Sequence, residues 1–274
     1  MDYRKILAAT AAVIGTVAMA ADGGIVSSSV VGYTAKEAEQ GKFIIMGAQL
    51  ERLAETGRDM KINGLVTGLT GVVYDSDDLW LDTASQIQVP SATGYTTYRY
   101  LNDGWYDDGT DEGAYKAGWC DGSGNITDDE LTSGIAQWVK SVPDSGSATV
   151  SGGVSDENVA TIDCPQGFAL RANAFPVAIT LNTDSMTSKD IVGVDYDSED
   201  AWLDTAPQIQ VPSANGYTTY RYLNDGWYDN GTAEGDYKPG WCDGSGNIVS
   251  DSIPAAQGFW TKGATGEFTL TFNK

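Results

Sequence analysis

One stretch of 55 residues occurs twice. Positions 71–125 recur at 193–247, displaced by 122 residues and differing at nine positions. Stretches this alike adopt the same local fold, so the architecture must be one that can be built twice along a single chain. The likeness continues more weakly outward. Gly41-Lys42-Phe43 matches Gln166-Gly167-Phe168, and Trp138-Val139-Lys140 matches Trp260-Thr261-Lys262. Each copy then spans about 110 to 130 residues, enough for an independent domain. The expected division is 1–20 as a signal peptide, 21–155 as the first repeat domain and 156–274 as the second. The boundary is placed near 151–163, after the Gly/Ser-rich segment 143–153, whose composition favours turns or a linker, although Ala148-Thr149-Val150 matches Leu270-Thr271-Phe272 in position, so the last strand of the first copy can occupy part of it.

The first twenty residues read as an address. Arg4 and Lys5 precede the apolar run 6–20, and Ala18-Met19-Ala20 supplies small residues at alternate positions, so cleavage is expected after Ala20. That run is short and alanine-rich against the roughly 20 apolar residues of a permanent span. The expected mature protein is exported, to the cell surface or beyond it, without integral membrane insertion.

Short alternating runs carry the secondary-structure signal. Segment 94–101 and its duplicate 216–223 are rich in Tyr and Thr, with Thr96, Tyr98 and Tyr100 on one strand face. Phe268, Leu270 and Phe272 alternate with polar residues. Segment 50–54 can form one helical turn and 128–131 can start another, but neither organises a bundle. The expected fold is all-β, as two tandem, duplicated β-sandwich-like domains.

Charge and composition narrow the functions. With 38 acidic against 16 basic residues the net charge is -22, and no basic cluster offsets it. Such a chain repels phosphate backbones, which excludes nucleic acid as a partner. There is no histidine, which removes Ser-His-Asp triads, imidazole acid–base chemistry and His-containing zinc sites. Paired carboxylates for glycoside hydrolysis cannot be singled out where nearly every turn is acidic. Asp108 becomes Asn230 and Asp111 becomes Ala233 in the second copy, so neither serves both repeats. The expectation is a noncatalytic protein.

Three residue sets remain as candidates. Trp105, Trp119, Trp227 and Trp241 are the candidates for a carbohydrate platform, because a flat ring covers the apolar face of a sugar; their ordinary role is core packing. Asp75, Asp77, Asp78 and Asp82, matched by Asp197, Glu199, Asp200 and Asp204, are candidate oxygen ligands for calcium; their ordinary role is to hold turns. Segment 121–125, Asp-Gly-Ser-Gly-Asn, resembles a calcium loop but lacks the glycine and glutamate of an EF-hand. Cys120 and Cys242 are equivalent, whereas Cys164 has no duplicate. One pair can bridge and leave a free thiol, an intermolecular bridge can form, or all three can stay reduced if buried.

The glycine-led Phe strand, the Tyr-rich centre, Gly-Trp-Cys-Asp-Gly-Ser-Gly and the late Gly-Phe-Trp resemble repeat modules of uncharacterised exported proteins from planctomycete and verrucomicrobial bacteria. The matching pieces are 166–175, 216–247 and 257–272, with a more divergent first copy at 41–150. The first copy has Ile135-Ala136-Gln137-Trp138 where the second has Gln257-Gly258-Phe259-Trp260. The resemblance implies a β-rich envelope or extracellular module and supplies no catalytic residues. The leading expectation is a noncatalytic structural protein of the cell surface or an extracellular assembly, self-associating or bound to another extracellular structural protein, and stabilised by calcium. A carbohydrate-binding surface module is the rival.

Overall fold

The described residues of the repeated segment form the same strands and helical turn in both places. The computed structural model describes residues 15–16, 30–54, 57–197, 200–232 and 234–274. Apart from Gly15–Thr16, which pairs with Val30 and Val31, the expected signal peptide lies outside the described residues. In the first copy, strand Gln86–Ser91 turns back through Ala92 and Thr93 into Gly94–Tyr106, which pairs in turn with Ala114–Cys120. In the second copy Gln208–Ser213, Gly216–Tyr228 and Asp236–Cys242 repeat this, residue for residue in register. Both long strands carry a bulge. Leu101 faces Gly118 while Gly104 faces Lys116, so Asn102 and Asp103 oppose Ala117 alone. In the second copy the lone residue is Pro239, which a bulge tolerates because no ladder hydrogen bond is required there.

The described residues divide into two units. The first runs to Thr132 and takes in Gln137–Ser155; the second takes in Ser133–Ala136 and Asp156–Lys274. Each holds a five-stranded antiparallel sheet of the same order: Phe43–Gly47, Ala136–Lys140, Gln86–Ser91, Gly94–Tyr106 and Ala114–Cys120 in one, and Gly167–Ala172, Gly258–Gly263, Gln208–Ser213, Gly216–Tyr228 and Asp236–Cys242 in the other. The chain is all-β: among the described residues the helical turns Trp80–Thr83 and Trp202–Thr205 are four residues each. No helix among them is long and apolar enough to cross a membrane.

One face of each five-stranded sheet covers a core shared with further strands of its own unit. In the first, Ile87, Tyr98, Trp119 and Val139 meet Ala148 and Val150 of strand Gly146–Val154 and Leu50 of strand Leu50–Ala54. In the second, Ile209, Tyr220, Trp241 and Phe259 meet Phe268, Leu270 and Phe272 of strand Phe268–Asn273. Full burial of such side chains is worth about 1.5–3 kcal/mol each. One sequence expectation fails here and another is narrowed to one of its alternatives. Segment 50–54 is a strand rather than a helical turn, because pairing of Leu50 and Glu51 with Val154 and Gly153 supplies its hydrogen bonds. In the Gly/Ser-rich segment 143–153 the last-strand alternative holds in place of the linker, and the strand is longer than 148–150: Gly146–Val154 pairs with Val30–Ala38 along its length. Gly152 is required in that strand: a Cβ there would lie 2.1 Å from the Glu51 carbonyl oxygen.

A smaller cluster sits on the opposite face of each five-stranded sheet. Trp80, Ala84, Leu101 and Cys120 form it in the first unit; Trp202, Ala206, Leu223 and Cys242 form it in the second.

Candidate functional site

The four tryptophans proposed as a platform part company. Trp119 and Trp241 are 1% exposed, and their indole N–H groups donate to the Val66 carbonyl (2.9 Å) and to Ser188 Oγ (3.1 Å). They are core residues with no face to offer a sugar, which corrects their place in the candidate set. Trp105 and Trp227 are each 37% exposed. Each stands directly opposite a tyrosine on the neighbouring strand, Tyr115 or Tyr237, and these tyrosines are 70% and 66% exposed. Behind each indole lies a glycine. A Cβ on Gly113 or Gly235 would come within 2.4 Å of the indole Nε1, so the ring rests against backbone where no side chain fits. One large aromatic pair per copy is therefore held in place and left open to solvent.

Among the carboxylates proposed as calcium ligands, Asp75 and Asp197 hold turns. Asp75 Oδ1 accepts from the amides of Asp77 and Leu79, both at 3.0 Å, and its Oδ2 accepts from Trp80 N at 3.1 Å. Asp197 likewise accepts from Ala201 N and Trp202 N. These two residues anchor the helical turns by satisfying their first amides. Asp77, Asp78 and Asp82 are exposed, as are Asp200 and Asp204; Glu199 lies outside the described residues. Asp78 and Asp200 adopt left-handed backbone, φ 59° and 60°. Asp121 in the calcium-like loop accepts from Ser123 N and Asn125 N, at 2.8 and 2.9 Å, and Asp243 repeats this with Ser245 and Asn247. Among the described residues, no group of three acidic or Cys side chains is placed to hold a metal ion.

All three cysteines are free and buried. Burial pushes the Cys120 and Cys242 thiols up to about 12 and Cys164 up to about 11. A thiol so far from ionisation at neutral pH is a poor nucleophile. Cys120 and Cys242 pack against Gly104 and Gly226, where a Cβ would lie 2.3 and 2.4 Å from the sulfur.

Sequence reasoning missed two duplicated arrangements. Asn63 bridges two backbone segments, donating from Nδ2 to the carbonyls of Trp119 and Thr127 and accepting from Trp119 N at 2.7 Å. Asn182 does the same with Trp241 and Val249. The two are 119 residues apart, outside the 55-residue repeat, and the only signal is an apolar residue before each, Ile62 or Leu181. The second arrangement is a row on the face opposite the main core: Trp138 opposite Gln88, itself opposite Thr97, repeated as Trp260, Gln210 and Thr219. Period-2 alternation with Ile87, Tyr98 and Val139 contained that signal. A cleft of about 230 Å³ in the second unit, bordered by Asn182, Asp184, Tyr222 and Trp241, is smaller than the roughly 300 Å³ at which small-molecule sites begin.

Comparison with protein-family models, curated proteins and solved structures finds no match for this chain.

Proposed function

We propose that this is a noncatalytic, exported surface protein that binds a neutral glycan through Trp105 with Tyr115 and Trp227 with Tyr237. In this reading each unit is a sandwich-like module presenting one aromatic pair. The observation that carries it is the exposed cross-strand Trp/Tyr pair backed by glycine, present in both copies. Exposed aromatic pairs contribute nothing comparable to core burial, whereas an aromatic face against sugar C–H groups gains area at little entropic cost. A net charge of -22 disfavours anionic ligands and leaves neutral polysaccharides as the matching class.

The test is affinity electrophoresis through gels containing a soluble β-glucan, a mannan or a xylan. At least one should retard the mature protein, and the double substitution Trp105→Ala with Trp227→Ala should weaken that retention about tenfold, corresponding to roughly 1.4 kcal/mol. Free migration of the wild-type chain through all three gels would sink the proposal.

Self-assembly into a surface structure, with calcium offsetting the negative charge, is the second reading. It is favoured by the outermost strands of the second unit's sheet, Gly167–Ala172 and Asp236–Cys242, because edge strands offer unpaired backbone groups, although Asn182 and Val249 already pair with Trp241 in the second of them. Lys238 and Pro239 in one of those edges oppose it, since both blunt strand addition. Electron microscopy of natively purified protein, with and without a calcium chelator, separates the readings: ordered filaments or sheets support assembly, and uniform monomers reject it.

A further inference from the structure

Asparagine is followed by glycine at three places: 63–64, 215–216 and 230–231. Such an asparagine is the one most open to attack by its own chain, because no Cβ shields the next backbone nitrogen from the side-chain carbon. The three are placed differently. Asn63 is held by the three hydrogen bonds described above, and a Cβ on Gly64 would lie 2.9 Å from Arg52 Cδ. Asn215 is exposed in the two-residue turn between Gln208–Ser213 and Gly216–Tyr228, with Ala214 before it and Tyr217 after its glycine. Asn230 is also exposed, just beyond strand Gly216–Tyr228, but has Asp229 before it and Thr232 after its glycine.

Around Asn230 each reacting atom has a partner. The amide of Gly231 donates to Asp229 Oδ1 at 2.8 Å, so a carboxylate already holds the proton that an attacking nitrogen must lose. Asn230 Oδ1 accepts from Thr232 N at 2.9 Å and from Thr232 Oγ1 at 2.6 Å. Two donors therefore face the oxygen on which negative charge gathers when its carbon is attacked. The bond to the amide two residues on is an Asx turn, which lays the side-chain carbonyl against the intervening Gly231 peptide unit. A Cβ on Gly231 would meet nothing within 4 Å, so the approach is unobstructed.

In the first copy the same frame holds an acid. Asp108 stands where Asn230 does and accepts from Thr110 N at 3.0 Å and Thr110 Oγ1 at 2.6 Å, while Gly109 N donates to Asp107 Oδ1 at 2.8 Å. The Thr110 hydroxyl and amide hold the Asp108 carboxyl below the usual carboxylate range.

We propose that Asn230 is a site of self-modification, at which the chain converts this asparagine to the acidic residue that position 108 already carries. The Gly231 nitrogen gives its proton to Asp229 and bonds to Asn230 Cγ; the Cγ–Nδ2 bond breaks, and ammonia leaves with that proton. Water then opens the five-membered imide at either carbonyl, giving an aspartyl or an isoaspartyl linkage and one further negative charge. The hydrogen bond from Asn230 Nδ2 to the Gly235 carbonyl (3.2 Å) is lost with the amide, beside the indole of Trp227 that Gly235 backs. The inference does not depend on glycan binding.

The test holds the folded mature chain at mildly alkaline pH and maps its peptides by mass spectrometry over time. Asn230 should convert at least about tenfold faster than Asn215 in the same molecules, with Asn63 unchanged, and in urea the three rates should converge. Asp229→Asn keeps an acceptor for Gly231 N and removes the base; Thr232→Val removes the hydroxyl. Each should slow conversion of Asn230 about tenfold while the thermal midpoint and the Asn215 rate stay as they are. Equal rates at Asn230 and Asn215 in the folded chain, or an Asn230 rate that either substitution leaves untouched, overturns the inference.

Discussion

Asn63 and Asn182 show how much one side chain can hold. Each satisfies two carbonyls and one amide of chain segments it does not belong to. Asn63→Ala should cost about 2–4 kcal/mol, because each buried group left unpaired costs roughly 1–3 kcal/mol; urea unfolding followed by tryptophan fluorescence measures it, and a loss below half a kcal/mol would contradict the assigned role. The cysteines make a second residue-level prediction. The folded-state values for Cys120 and Cys242 lie above those of an unfolded thiol. Their contribution is therefore complete below about pH 8.5–9 and is lost as pH rises towards 12, because the unfolded chain releases protons that the folded chain retains. Replacing both with Ala should lower stability at neutral pH and flatten its decline between pH 9 and 12. Equal alkaline slopes for variant and wild type would refute this.

Element by element, the sequence was legible where alternation was strong and turn chemistry unambiguous. Phe268, Leu270 and Phe272 are buried in alternation with half-exposed neighbours, as their pattern predicts. The strand expected over 94–101 continues to Tyr106 because Asn102-Asp103-Gly104, which looks like a turn, is accommodated as a bulge. Glycines at 146, 152 and 153 similarly hid the full length of the strand legible at 148–150, since a composition that suggests turns also suits close approach of two backbones. The aromatic candidates were half legible: equal spacing cannot separate Trp105, beyond the end of the core, from Trp119 inside it. The bulge yields its own prediction. Pro239 occupies the position of Ala117, so Ala117→Pro should leave the thermal midpoint unchanged or raise it, at most by about 1 kcal/mol of stabilisation. Gly118→Pro, one residue along and in register with Leu101, should destabilise markedly. A large loss from Ala117→Pro would show that the two bulges differ.

For the molecule as a whole, charge governs association. At a sequence pI near 4.1 the repulsion vanishes, so light scattering should reveal reversible association close to pH 4 that disappears by pH 7. Assembly at neutral pH that requires calcium and reverses with chelator would instead favour the structural reading. Near-identity of two long segments also creates a hazard during synthesis, when strands of one copy can be incorporated into the other. The non-repeated strands guard against that exchange. Where the first unit places Ala148 and Val150, the second places Leu270 and Phe272. Phe268–Asn273 would overfill the first core, and Gly146–Val154 would leave the second hollow, a defect of about 2–5 kcal/mol where alanine takes the place of Leu270 alone. The divergent strands thus act as keys, allowing two almost interchangeable sheets to mature each with its own partner.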